Sequence, residues 1–209
     1  MEKKSFKLRH SFLLIVIAAL VAGCESNKKA DGNNPPTAIT SQPAVSQPAI
    51  PAMNAPPAVP MVVRIKAGAT SPVTNSTGMV WLADQGFNGG DTVERPDLSI
   101  NNTTQPEIYR SERYGMDSFS WPLANGKYLV KLHFCETYEG ITGPGQRVFS
   151  FNVQGHDFKD FDVWAKAGGP LTAYVETVPV EIKDGKLLIT FTSNIENPQI
   201  NGIEIIPQP

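Results

Sequence analysis

An all-β domain, a β-sandwich or jelly roll, is what residues 61–209 predict, and three features predict it. Apolar residues recur with a period of two in several short runs, as in strands with one buried face. Asn-Gly and Asp-Gly pairs punctuate those runs as turns. No stretch of twelve residues keeps a 3.6-residue apolar period with caps at its ends. Many short strands separated by turn residues are the pattern of a sandwich or jelly roll.

The chain begins with something else. Lys3, Lys4, Lys7 and Arg9 precede an apolar stretch over residues 12–22. That stretch is too short for a membrane-spanning helix, which needs about 20 residues, and it fits the apolar region of a secretory signal peptide. It ends in "LVAGC", residues 20–24, which resembles a bacterial lipobox. Small Ala22 and Gly23 suit the lipoprotein signal peptidase, and Cys24 would take the lipid. An ordinary signal peptide with a chance cysteine is the alternative. On the lipobox reading, residues 1–23 are a lipoprotein signal peptide. The chain is then lipid-anchored to a membrane of a bacterial cell envelope, periplasmic or surface-exposed, with each buried methylene contributing about 0.8 kcal/mol. Residues 24–60 hold the lipidated Cys24 and then a disordered linker of Pro, Ala, Ser and Gln that repeats S-Q-P-A. Such a segment cannot bury enough surface to offset its ordering entropy, and its spaced prolines favour extended polyproline II. It reads as a spacer that lifts a domain off a membrane, with a Pro-rich peptide ligand as the other reading.

The strands of residues 61–209 follow in order. "SERYG", Ser111 to Gly115, reads as strand and then turn, with Gly115 giving the turn its freedom. In an extended segment Glu112 and Arg113 point to opposite faces, so they cannot both line one site. Arg113 is expected to pair with Glu136 or Asp117, and Tyr109 to pack inside. "KYLVKLHFCE" sets Tyr128, Val130, Leu132 and Phe134 on one face and Lys131, His133 and Cys135 on the other. "RVFSFNVQ" alternates through Phe149, Phe151 and Val153. "VPVEIKDGKLLITF" reads as a hairpin: Val178, Val180 and Ile182, a type I′ turn at Asp184-Gly185, then Leu187, Ile189 and Phe191. "QINGIEII" closes the chain.

Composition excludes several classes. Residues 1–23 contain four of the 18 Lys and Arg and one of the 20 Asp and Glu, so the remainder carries a net charge of −5. A basic patch for nucleic acid is not expected. With Cys24 lipidated, Cys135 stands alone, so neither an internal disulfide nor a cysteine-rich metal site is available. No cofactor is implied. Asp160 and Asp162 could ligate a structural Ca²⁺, or resemble a glycosidase pair, though such pairs usually come from separate strands. His133 and Cys135 on one strand face suggest a Cys–His nucleophile, against which Cys135 reads as a small buried residue.

The segments "GMVWLADQGFNGG", "IYRSERYG", "FSWPLANGKYLVKLHFCETY", "RVFSFNVQG", "DFDVWAKAGG" and "NPQINGIEII" occur in this order. Together they resemble a malectin domain, a carbohydrate-binding module family, over residues 62–207. The resemblance implies a jelly-roll-like β-sandwich that binds glucose-containing oligosaccharides without catalysis, through loops at one end. The family's tyrosine of the T-E-R-Y motif falls on Tyr114. Its aromatic pair after F-A-E falls on Tyr138 and Glu139, so one aromatic is kept and the other lost. Its acid before N-P falls on Glu196, next to Asn197. A further family tyrosine has no counterpart in the expected loop over residues 92–101.

Tyr114, Tyr138 and Glu196 are therefore the candidate carbohydrate-binding residues, with Glu139 and Asn197 secondary. A tyrosine gives a flat face for sugar C–H groups and a hydroxyl for the rim, and a carboxylate can accept from two adjacent hydroxyls. Each also has a structural reading: Tyr114 packing at a core edge, Tyr138 as a loop-tip residue, Glu196 bracing its turn. A carbohydrate is the expected ligand, an envelope protein the alternative partner, and a hydrolase the third reading.

Overall fold

Alternation along the longest strands sorts side chains into an inner and an outer set, and two antiparallel sheets close over the inner one. The computed structural model describes residues 61–209, so the expected signal peptide, Cys24 and the expected linker lie outside the described residues. The strands are β1 (Val63–Lys66), β2 (Val73–Thr74), β3 (Val80–Trp81), β4 (Phe87–Glu94), β5 (Ser111–Pro122) and β6 (Gly126–Phe134). They continue as β7 (Val148–Val153), β8 (His156–Phe161), β9 (Tyr174–Ile182), β10 (Lys186–Ile195), β11 (Gln199–Ile200) and β12 (Gly202–Pro207). One sheet has the order β1-β12-β6-β9. The other has the order β11-β5-β10-β7-β8, with β4 paired along β5. β2 and β3 pair with each other in a small separate sheet between β1 and β4, and the chain then crosses between the two large sheets from β5 to β6, β6 to β7, β8 to β9, β9 to β10, and β11 to β12. The described residues are thus a β-sandwich of jelly-roll character, as the sequence predicts.

The inner faces are those read from the alternation. Val130, Leu132, Phe134, Phe149, Val153, Leu187 and Ile189 are fully buried, and Tyr128, Phe151, Val178, Val180 and Ile182 nearly so. Phe134, Phe149 and Phe151 gather around Phe161, with ring centroids 5.0, 5.6 and 5.0 Å from it. Edge-on and tilted rings at such distances add about 0.5–1.5 kcal/mol per pair beyond area burial.

Four expectations need correction. The segment around Asp184-Gly185 is not a hairpin, because β9 pairs with β6 and β10 pairs with β5 and β7. Two alternating runs can face each other across a core as well as lie side by side in one sheet, and their patterns are identical. Here the connection arches between sheets, and only Gly185 of the pair has positive φ, 79°, where a type I′ turn needs two. The Asn125 side chain clamps the arch, accepting from the Gly185 amide and donating to the Lys183 carbonyl, each at 3.0 Å.

Gly115 is not in a turn. It lies inside twelve-residue β5 with φ 67°, beside Gly90 of β4. A side chain at Gly90 would collide with the Tyr114 carbonyl, so the glycines let two strands twist past an irregularity in their pairing. A short helix, α1 (Val163–Ala167), also forms, held by its caps rather than by an apolar stripe. Lastly, the outer face of β6 is buried at its end, where His133 is 7% exposed; Cys135 just beyond it, at 0%, is the small buried residue expected. The 3-10 turn Pro106–Arg110 and Trp81 pack over it with Ile100 and Ala173. Tyr109 on that turn is buried, as expected.

Candidate functional site

At the end of the sandwich where β4 and β6 finish and β5 begins, the chain leaves an open groove of about 330 Å³. That lies at the low end of the range for small-ligand sites, roughly 300–1,000 Å³. Alternation on β5 sends Glu112 and Tyr114 into it and turns Arg113 away. Val93 of β4 and Arg95 just beyond it form one wall. The β6–β7 connection supplies Tyr138 and Arg147, and the β10–β11 connection supplies Glu196 and Asn197.

Three of the lining side chains, Arg95, Glu112 and Arg147, form a floor held by two separate ion pairs. Arg95 Nη1 lies 3.1 Å from Glu112 Oε1 and donates to the Thr137 hydroxyl at 3.0 Å. Thr137 in turn donates to Glu112 Oε2 at 2.8 Å. Arg147 donates through Nε to Glu136 Oε2 at 2.8 Å and through Nη1 to the Asn197 carbonyl at 2.7 Å. Glu112, Glu136 and Arg147 are buried, at 2%, 1% and 5% exposure. Burial pushes the Glu136 carboxyl above its ordinary range, opposed by the Arg147 charge and by the Tyr138 amide, which donates to Glu136 Oε1 at 3.0 Å. The Leu171 amide donates to the Glu136 carbonyl at 2.9 Å. The floor is therefore rigid.

Above the floor stand the exposed groups. Tyr138 is 46% exposed, on a turn closed by the Ile141 amide donating to the Tyr138 carbonyl at 3.0 Å. Its ring lies against Gly140, where a Cβ would come within 2.5 Å of Cε1. Glu196 holds φ 62°, rare for a residue with a branched carboxylate tip, and one of its oxygens accepts from the Asn197 amide at 3.2 Å. It both lines the groove and braces its own turn. Four of the five sequence-derived residues, Tyr114, Tyr138, Glu196 and Asn197, thus share one groove. Glu139 does not line it and faces the neighbouring groove instead.

Sequence reasoning missed Val93, Arg95, Glu112 and Arg147 as lining residues. The expected loop over residues 92–101 begins as strand, which is what brings Val93 to the groove. Glu112 had a signal, its spacing of two from Tyr114; Arg95 and Arg147 had none. Arg113 pairs neither with Glu136 nor with Asp117. Its Nη2 lies 2.7 Å from Asp84 Oδ1, and its guanidinium sits 5.3 Å from the Phe87 ring centroid. Glu136 belongs to the opposite side of β5, where Arg147 holds it.

The other clusters have structural partners. Asp162 caps α1, accepting from the Ala165 amide at 3.1 Å and from the Gly145 amide at 2.6 Å. Asp160 accepts from Asn194 Nδ2 at 2.6 Å. Among the described residues no group of three or more His, Cys, Asp or Glu is placed to hold a metal ion. Burial pushes the Cys135 thiol up to about 12, so it is not a thiolate near neutral pH. His133 is bonded elsewhere, to the Tyr109 hydroxyl at 2.9 Å and to Glu204 at 3.0 Å.

Residues 61–203 match the family model described as the Malectin domain. Malectin-B of Xenopus laevis is 33% identical over 111 residues, covering 49% of this chain and 39% of that protein. The chain therefore spans about two fifths of that relative's length. Among solved structures, beta-glucuronidase of Bacteroides uniformis is similar with a TM-score of 0.65 at 17% identity, over 71% of this chain and 18% of that one. The structure of plant peptide RALF23 in complex with FER and LLG2 is similar with a TM-score of 0.60 at 22% identity, over 69% and 48%. At such identities the structural likenesses speak for the fold alone.

Proposed function

The chain belongs to the malectin family, and from that premise we propose that it binds a glucose-containing oligosaccharide, without catalysis, in the groove beneath Tyr114 and Tyr138. The observation that carries this reading is the convergence of Tyr114, Tyr138, Glu196 and Asn197 from three separate connections and strands onto one open groove. A pyranose has an apolar C–H face and a rim of hydroxyls. The tyrosine rings suit the face, and Glu196 and the Asn197 amide suit the rim. Glu112 is locked to Arg95 and Glu136 to Arg147, which favours holding a ligand over moving protons. With two rings and one exposed acid outside any ion pair among the described residues, a Kd of roughly 10 μM to 1 mM is expected.

A glycan array with the full chain tests the reading, and hydrolysis assays on the bound glycans test the absence of catalysis. Binding to no glycan would move the weight to an envelope protein partner. That second reading draws support from Glu139, which stands where the family resemblance would have an aromatic.

The same proposal places the domain on a lipid anchor at Cys24 of a bacterial envelope membrane, held out by residues 25–60. Cys24→Ser should abolish lipid attachment and leave soluble protein or unprocessed precursor. Parent-like mass and membrane fractionation in that variant would refute the anchor.

A further inference from the structure

We propose that the groove on the other side of Tyr138 is a second sugar subsite with Trp164 as its platform, which engages a sugar unit beyond those held in the first groove. This rests on the reading that the first groove binds sugar.

Continuity comes first. Tyr138 and Arg95 line both grooves, so the two share a wall and a chain can pass from one to the other over the Tyr138 ridge. The second groove is about 750 Å³, more than twice the first. Arg95, Glu136 and Thr137 of the paired charges border the second groove too, and Leu98, Ile141, Trp164, Pro170 and Leu171 add apolar walls that the first groove lacks, with Glu139 beside them. A tryptophan and aliphatic walls suit the C–H face of a pyranose, and a carboxylate among them can accept from its hydroxyls. Trp164, carried by α1, is the aromatic that this groove has beyond the shared Tyr138.

Trp164 is also held in place. Helix α1 carries it and has five residues, too few to stand by propensity. Asp162 caps its start, and the amides of Gly168 and Gly169 both donate to the Trp164 carbonyl at 3.0 Å, with Gly168 at φ 81°. The second oxygen of Asp162 ties the helix to Gly145 in the connection that also carries Tyr138 and Ile141. Across the groove, the Leu171 amide donates to the carbonyl of Glu136, which lines this groove and pairs with Arg147 of the first. The two subsites are thus built on one framework, and a ligand spanning both meets pre-ordered walls.

The test is a ladder of glucose oligosaccharides of one to six units, titrated calorimetrically into the full chain and its variants. The parent should bind three units about tenfold more tightly than one, with little gain beyond. Trp164→Ala should erase that gain and leave affinity for the single unit within about twofold. Trp164→Phe should retain most of the gain, and its melting temperature shows whether α1 is intact. Tyr114→Ala should weaken every rung. Full length dependence in Trp164→Ala, with loss in Tyr114→Ala, would overturn the second subsite and leave the first standing. Equal weakening of every rung by Trp164→Ala would overturn it too. No binding at any length by the parent would overturn the sugar reading for glucose-containing chains, and the second subsite with it.

Discussion

Two clusters of ionisable side chains flank the end of β6, and they do different work. Beneath the groove, Arg95, Glu112, Thr137, Glu136 and Arg147 form the floor already described. On the outer face of the four-stranded sheet, the Tyr109 hydroxyl meets His133 and both His133 and Arg64 meet Glu204, at 3.0 and 2.9 Å. Trp81 stands edge-on over the His133 ring at 5.3 Å. Each cluster combines buried groups with a partly exposed arginine, Arg95 in the first and Arg64 in the second, and each pairs its own charges. Only the first has exposed or half-buried aromatic rings above it. In this fold, then, buried charge marks the scaffold, and the site is marked by the groups left standing over it.

The electrostatics of the two clusters have opposite signs. Burial raises the Glu136 carboxyl, and Arg147 only partly offsets it. Burial also raises Glu204, but hydrogen bonds and charge from His133 and Arg64 together outweigh it and hold that carboxyl below its ordinary range. The groove floor therefore carries a cost of ionised burial that the outer cluster does not.

The largest expected effect tests that asymmetry. Arg147→Ala leaves Glu136 buried without its counter-ion, which should cost about 3–5 kcal/mol. At this chain length the melting temperature should fall by roughly 10 °C or more. Arg64→Ala on the other cluster should cost only about 1 kcal/mol, because Arg64 is partly exposed and Glu204 keeps His133. Equal losses in calorimetric melts would erase the distinction between the clusters.

The groups over the floor come next. Tyr114→Ala and Tyr138→Ala should each lose about 1–2 kcal/mol of glycan binding, five- to thirtyfold in Kd. Tyr138→Ala should leave the melting temperature nearly unchanged, since the ring is half in solvent. Glu196→Gln keeps shape and loses the charged acceptor, at about 1 kcal/mol of binding. Parent-like affinity in both tyrosine variants would remove them from the site with the fold intact.

A subtler break is Gly140→Ala. The added methyl would meet the Tyr138 ring, so the ring must move while the backbone, with no positive φ there, need not. Binding should weaken by about 1 kcal/mol, roughly fivefold, with stability little changed. A variant that binds like the parent would show that the ring's placement is not part of recognition.

The smallest effect is in pH. Glu204 titrates below its ordinary range when folded, so it contributes stability above the unfolded carboxyl value of about 4.3 and loses it as pH falls through the folded value. Glu136 titrates above its ordinary range, so its contribution is full at low pH and is lost as pH rises through the folded value. Glu204→Gln should flatten the acid limb of the stability profile. Glu136→Gln should flatten the limb just above it. Denaturant unfolding across pH 2–7 measures both, and a single limb affected by both variants would contradict the signs.

The alternation of Tyr128, Val130, Leu132 and Phe134, and of Phe149, Phe151 and Val153, was enough to find the inner faces, because burial needs only period two. The site residues Tyr114, Tyr138 and Glu196 were legible through motif resemblance, each on its own segment. Which sheet a strand joins was not legible. Val178–Ile182 and Leu187–Phe191 would alternate alike in a hairpin or an arch, and only the pairing of β9 with β6 and of β10 with β5 and β7 decides. The charge partners were equally hidden: Arg113 finds Asp84, and Arg147 finds Glu136, because packing brings together segments that sequence separation leaves unrelated. The sequence by itself determined the class of fold and the buried faces, and through family resemblance it supplied the candidate residues Tyr114, Tyr138 and Glu196. Only the tertiary structure decided which carboxylates are locked, which rings stand free, and that Trp164 borders the same ridge, since these depend on where connections of different strands meet.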